Sequence, residues 1–111
     1  MKVLAFNGSP RMKKGVTDKI LQTFLEGAAS AGAETETVYV AKKDIKFCIG
    51  CFNCWFKHPG TCIHKDDMIG IRQQIKAADV IVFGSPVFFD GFTAQIKTML
   101  DRLIAGGMPF I

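Results

Sequence analysis

Four cysteines, Cys48, Cys51, Cys54 and Cys62, fall within fifteen residues, and the chain has no others. Their spacing, Cys-x2-Cys-x2-Cys-x7-Cys, gathers four thiols on one short segment. The opening Met1-Lys2-Val3-Leu4-Ala5-Phe6 runs at once into Gly8-Ser9-Pro10, too short an apolar stretch for a secretory leader, so a reducing, cytoplasmic setting is expected. There a tight thiol group reads as a metal ion, a metal cluster or redox chemistry before it reads as a disulfide framework. Tetrahedral zinc takes four thiolates, although structural zinc sites more often separate a pair of Cys-x2-Cys knuckles by a longer insert. A metal-free loop with packed or redox-labile cysteines is the third reading. Trp55 and Phe56 can shield such a site or simply anchor the loop by packing. His58 and His64 carry nitrogens that suit a metal, but exposed loop histidines are the commoner case.

Two further segments hold residues that suit ligand binding. Gly8-Ser9-Pro10-Arg11-Met12-Lys13-Lys14-Gly15-Val16-Thr17 offers hydroxyls, backbone N–H groups and the start of a helix, which together suit a phosphate. It has neither the Gly-x4-Gly-Lys-Ser/Thr nor the Gly-x-Gly-x-x-Gly pattern, so an ATP site or a dinucleotide fingerprint is not supported. A solvated turn with incidental lysines is the plain alternative. In Ser85-Pro86-Val87-Phe88-Phe89-Asp90-Gly91-Phe92-Thr93 three phenylalanines sit among turn residues. They suit stacking on a flat ligand or filling a partner interface, with core packing as the alternative.

The elements that must position these segments follow from the apolar pattern. Lys2–Asn7 is a short apolar run that predicts a buried strand. From Thr17, Ile20, Leu21, Phe24, Leu25 and Ala28 recur at helical spacing until Gly32. Glu36–Val40 is β-branched and aromatic, giving a strand, loop, helix, strand unit of the right-handed parallel kind. Residues 42–65 lose periodicity, a length of loop that usually carries function. Asp66 or Asp67 is expected to cap a helix lined by Met68, Ile71, Ile75 and Ala78, and Asp79–Gly84 reads as a third strand. Thr93 is expected to cap a last helix that buries Ile96, Met99, Leu100, Leu103 and Ile104, ended by Gly106-Gly107 and Pro109. Asp101 and Arg102 read as a surface or interface pair. The chain stops at Phe110-Ile111, where another strand is expected, so the sheet reads as the N-terminal portion of a longer α/β domain or one completed by a partner.

Composition bounds the rest. The 111 residues are 49% hydrophobic and 22% charged, consistent with one globular domain. A net charge of +4 is spread along the chain, with eight basic residues in 1–47 and six after, so no nucleic-acid partner is expected. No apolar stretch approaches the roughly 20 residues of a membrane span, and no membrane partner is expected.

Taken in order, Gly8-Ser9-Pro10-Arg11 with Gly15 and Thr17, Cys48-Ile49-Gly50-Cys51-Phe52-Asn53-Cys54, Lys65-Asp66-Asp67-Met68, Gly84-Ser85-Pro86-Val87-Phe88-Phe89 and Lys97-Thr98-Met99-Leu100-Asp101-Arg102 resemble the NAD(P)H-dependent FMN reductase family. Within it the chain is most similar to the iron–sulfur flavoprotein branch, over essentially all 111 positions. The resemblance implies a flavodoxin-like, doubly wound α/β sheet with helices on both faces, of which three of five strands are present. It implies bound FMN, a homo-oligomer (dimer or tetramer), and electron transfer from NAD(P)H or a protein donor to a small-molecule or protein acceptor. Ser9, Arg11, Gly15, Val16 and Thr17 would then surround the FMN phosphate, and Pro86, Val87, Phe88, Phe89 and Gly91 would lie along the isoalloxazine ring. Cys48, Cys51, Cys54 and Cys62 would ligate a [4Fe–4S] cluster close to the flavin. Val16 stands where the family often has Asn, and Phe88 where Tyr is common, which removes one amide contact and one hydroxyl. No catalytic side-chain acid or base is expected, because the cofactor carries the chemistry. The alternatives are a cluster-free quinone, azo or nitroaromatic reductase, an electron-carrier module, and a zinc-stabilised interaction domain.

Overall fold

The computed structural model describes residues 1–106; the expected helix break at Gly107 and Pro109 and the strand start at Phe110-Ile111 lie outside them. The order of elements is β1 (Lys2–Asn7), α1 (Val16–Ser30), β2 (Glu34–Tyr39), α2 (Asn53–Phe56), α3 (Met68–Ala77), β3 (Val80–Gly84) and α4 (Ala94–Arg102). The three strands form one parallel sheet in the order β2-β1-β3. β1 is central, with Lys2 opposite Glu34 on one side and Val3 opposite Val80 on the other.

Alternation along β1 builds two cores. Leu4 and Phe6 face α3 and α4, packed with Val38, Val40, Met68, Ile71, Ile96 and Met99. Val3 and Ala5 point the opposite way, onto Leu21 and Leu25 of α1. A strand buried on both faces must be apolar throughout, which is why Lys2–Asn7 reads as a continuous run. Each fully buried side chain of this kind contributes roughly 1.5–3 kcal/mol through apolar burial.

α1 differs in detail from the expectation. Leu21, Leu25 and Ala28 meet the sheet, but Ile20 and Phe24 are exposed, at 66% and 51%. One sheet face accepts only one stripe of a helix, and a five-residue apolar set is wider than that stripe. Helix α1 ends at Ser30, and Gly32, with φ +94°, takes the left-handed conformation that follows many helices. β2 begins and ends earlier than predicted, because Val40 turns into a 3₁₀ segment, Val40–Lys42, where its side chain enters the core. The long loop contains the four-residue helix α2, too short to leave a period in the sequence.

Thr93 caps α4 as expected, its Oγ1 accepting the Ile96 N–H. Beyond α4 the chain tightens into a 3₁₀ turn, Leu103–Gly106, which carries Leu103 and Ile104. Asp67 occupies the position before α3 without capping it; its carboxylate accepts the Asp44 N–H at 2.7 Å. β3 pairs with β1 alone among the described residues, and Val80, Ile81 and Phe83 on it are exposed. No helix among the described residues is long and apolar enough to cross a membrane.

Candidate functional site

The parallel order β2-β1-β3 changes direction at β1, and ligands of such sheets bind at that switch beyond the carboxyl ends of the strands. The loops after β1 and β3 lie there and are tied together. Gly8 donates its N–H to the Gly84 carbonyl at 2.8 Å, and Thr93 donates its hydroxyl to the Gly8 carbonyl at 2.6 Å. A β-carbon on Gly8 would run into Ile96, so glycine lets α4 sit directly against the first loop.

Within that first loop Ser9 is buried, and its N–H is already taken by Asn7 Oδ1 at 2.9 Å. Its Oγ accepts the Arg11 N–H at 3.1 Å, which leaves the hydroxyl proton free to donate. Gly15 packs so closely that a β-carbon would come within 3.2 Å of Ser9 Oγ. No side chain caps α1, so the first N–H groups of the helix, from Val16 and Thr17, stay open to an anion. The one acidic group in that turn, Asp18, is drawn inward. It accepts the Tyr39 hydroxyl at 2.8 Å and the Asn7 side-chain amide at 3.3 Å. Burial, then the Asp18 hydrogen bond and charge, push the Tyr39 phenol up to about 12. Arg11, Lys13 and Lys14 are exposed around the loop, and Lys13 and Lys42 each place Nζ over the Tyr39 ring, at 5.8 and 5.9 Å from its centre. This is a cradle with free donors and cations, and it fits a phosphate.

The second loop presents its aromatics outward. Phe88 and Gly91 exchange two backbone hydrogen bonds, at 3.0 and 3.1 Å, around a turn whose central residues Phe89 and Asp90 have φ of +47° and +61°. Two positive φ values define the tight turn that usually takes Asn-Gly, so a phenylalanine there is held at a cost. Phe89 is fully exposed, and Phe88, Phe92 and Val87 are also exposed, which sets aside core packing for this segment. Pro86 is half-buried beneath them.

Cys48, Cys51, Cys54 and Cys62 are free and line one pocket with Ile49, Phe52, His64 and Arg102. Burial, and then the neighbouring thiols Cys62, Cys51 and Cys48, push the Cys54 thiol up. For Cys62, burial is outweighed by the His64 N–H and by the charges of Arg102 and Arg72, and the thiol falls below its ordinary value. A single zinc needs its ligands about 2.3 Å from one point. Among the described residues no three Cys, His, Asp or Glu side chains converge in that way. The four cysteines line one pocket, and a four-thiolate donor set suits zinc and an iron–sulfur cube alike. Trp55 packs on Phe52 with ring centroids 4.8 Å apart and donates its indole N–H to the Ile104 carbonyl at 2.9 Å, an anchor for the loop. His58 is exposed, whereas His64 is half-buried against the cysteines.

Arg102 corrects the sequence reading most plainly. It is no surface pair with Asp101, which instead bonds Lys97 on the exposed face of α4. Arg102 is 1% exposed and donates Nη1 to Asp66 Oδ2 at 2.7 Å, with the Asp66 carboxylate itself wholly buried. Asp66 also accepts the Met68 N–H, so its predicted capping bond is one of several. The signal was present in the spacing: Ile96, Met99 and Arg102 recur every three residues along the buried side of α4. The pocket and the loop cradle lie at opposite ends of this helix. Thr93 marks one and Arg102 the other, roughly 14 Å apart at 1.5 Å per residue.

A family model described as NADPH-dependent FMN reductase matches residues 1–110. An iron–sulfur flavoprotein of Archaeoglobus fulgidus is 36% identical over 107 residues, covering 96% of this chain and 47% of its own length. One of Methanocaldococcus jannaschii is 42% identical over 102 residues, covering 92% and 51%. The chain thus spans about half the length of the curated relatives it matches. Among solved structures, a flavone reductase superposes with a TM-score of 0.71 at 28% identity, over 93% of this chain and 30% of that one. An NAD(P)H:quinone oxidoreductase from Methanothermobacter marburgensis gives 0.76 at 20% identity over 93% and 52%, a likeness of fold.

Proposed function

The chain belongs to the NADPH-dependent FMN reductase family, and from that premise we propose that it forms the FMN-holding portion of an oxidoreductase that passes electrons from NAD(P)H or a protein donor to an acceptor. Bound FMN would supply hydride acceptance and single-electron release, so the polypeptide has to hold, orient and shelter it. The observation that carries this reading is the tie between the two loops through Gly8, Gly84 and Thr93 at the switch point of the sheet.

In this reading the free Ser9 proton, the open N–H groups of Val16 and Thr17 and the cations of Arg11, Lys13 and Lys14 hold the phosphate. Gly15 leaves the room, and the diversion of Asp18 to Tyr39 and Asn7 removes the repulsion an acidic first turn would bring. Val16 contributes backbone only. Pro86, Val87, Phe88, Phe89 and Gly91 would lie along the ring, the aromatics giving flat contacts and the turn giving backbone polar groups.

Cys48, Cys51, Cys54 and Cys62 would hold a [4Fe–4S] cluster, which supplies one-electron relay when bound. The gathering of all four cysteines on one pocket, at the compact Cys-x2-Cys-x2-Cys-x7-Cys spacing, supports this reading. The name shared by the two relatives favours it as well. A second copy of the chain, as dimer or tetramer, belongs to this proposal, since the cradle and the cysteines stand a helix length apart.

The test is a titration of the apoprotein with FMN and with riboflavin, which lacks the phosphate, alongside iron and acid-labile sulfide analysis of protein purified without oxygen. FMN is expected to bind much more tightly than riboflavin, Ser9→Ala is expected to narrow the gap, and about four irons per chain are expected. Equal affinities for FMN and riboflavin would remove the phosphate cradle from the proposal.

A further inference from the structure

The cysteine pocket holds two buried nitrogens without a well-formed hydrogen bond, Arg102 Nε and His64 Nε2, and the Arg102 side chain acts as a donor toward the Cys62 sulfur. Arg102 is the more constrained. Its Nη1 donates to Asp66 Oδ2 at 2.7 Å and to the Lys46 carbonyl at 2.9 Å, and its Nη2 donates to Asp66 Oδ1 at 3.2 Å. Both outer arms of a rigid planar fork are therefore committed, and the guanidinium plane is fixed. Arg102 lines the pocket with the four cysteines, whereas Asp66 does not. The pair is a buried dipole with its positive end on the sulfur side. Arg72, which donates Nη2 to the Arg102 carbonyl at 3.3 Å, adds a second cation nearby.

Packed apolar residues of similar volume would often hold these elements together as well as a buried pair does, so stability alone does not account for it. What the burial does provide is a fixed dipole whose positive end faces the four cysteines. Four thiolates around a [4Fe–4S] core carry net negative charge, and reduction adds one electron. A fixed cation stabilises the more negative, reduced form more than the oxidised one, and N–H bonds to the sulfurs act in the same sense.

We propose that Arg102, aimed by Asp66, raises the reduction potential of the cluster held by Cys48, Cys51, Cys54 and Cys62. This rests on the cluster reading above. Asp66 is the positioning residue, and Arg102 is the group that acts on the thiolate side.

The experiment uses the full-length protein, reconstituted with iron and sulfide under anaerobic conditions, with iron per chain counted and the cluster potential read by redox titration followed by electron paramagnetic resonance. The double variant Asp66→Asn with Arg102→Met removes both charges and orphans neither. Its potential is expected to move to a more negative value at unchanged iron content. Arg102→Lys keeps a cation for Asp66 but gathers its donors on one atom instead of a planar fork reaching both Asp66 and the pocket, and is expected to shift the same way by less. It also serves if the double variant does not fold. An unchanged potential in either iron-loaded variant overturns the role of Arg102 alone. Wild-type protein that takes up no iron overturns the cluster reading and this inference with it.

Discussion

Arg102 Nη1 lies 2.7 Å from Asp66 Oδ2, and the two side chains, 36 residues apart in sequence, are 1% and 0% exposed. The carboxylate also accepts the N–H groups of Lys46 and Met68. One ion pair therefore ties the end of α4, the start of α3 and the entry to the cysteine loop. Breaking it by removing one partner leaves a buried charge alone, so Asp66→Asn is expected to cost about 3–5 kcal/mol by urea unfolding.

The same pair predicts an acid dependence. Burial raises the Asp66 pKa, but the Arg102 hydrogen bonds, the two N–H groups and the Arg102 charge hold it well below the usual carboxylate range. The folded value thus lies below the unfolded one of about 3.9, and as pH falls the unfolded chain takes up the proton first. The stabilisation is complete above the unfolded value and drains away as pH drops through it toward the folded value. Urea midpoints measured from about pH 5 down to 3 should fall more steeply for wild type than for Asp66→Asn. Parallel slopes would mean that Asp66 does not carry the effect.

Tyr39 is the only tyrosine in the chain, so phenolate absorbance reads it directly. Its midpoint is expected at about 12 in the folded protein. Asp18→Asn, which removes the charge but leaves an acceptor, is expected to bring it back toward 10.0. A midpoint unmoved by Asp18→Asn would leave burial as the whole cause.

The turn at Phe89-Asp90 sets stability against binding. Replacing the two residues by Asn-Gly suits their positive φ values, and should raise stability by about 1 kcal/mol in urea. The same change deletes an aromatic face, so FMN affinity is expected to fall. A stabilised variant with unchanged FMN affinity would take Phe89 away from the ring.

Gly8→Ala forces a β-carbon into Ile96. Overpacking of this kind is expected to cost about 1–3 kcal/mol. Because α4 abuts the loop proposed to hold the phosphate, FMN binding should weaken even at temperatures where the variant is folded. Wild-type FMN affinity in the folded variant would show that the loop adjusts independently of α4.

Much of this architecture is legible in the sequence where one local rule governs. β1 can be read to its last residue because both its faces are buried, and Thr93 because a cap answers to its own helix. The loop cysteines stand out by spacing. For Arg102 the spacing from Ile96 and Met99 marks the buried side, but its partner Asp66 is remote in sequence and leaves no local signal. Ile20 and Phe24 mislead because periodicity reports a helix but not how much of its circumference the sheet will cover. In the loop after β1, Ser9 is legible but the use of its N–H by Asn7 is not; that depends on how the chain folds back after β1.

β3 pairs along one edge among the described residues and carries Val80, Ile81 and Phe83 exposed. Open apolar edges are where unrelated chains add to one another and come out of solution. The strand that delivers the aromatic loop is thus, among the described residues, also an exposed apolar edge. A segment or second copy laid along that edge would guard against aggregation, so the strand that delivers the aromatic loop bears on solubility as well.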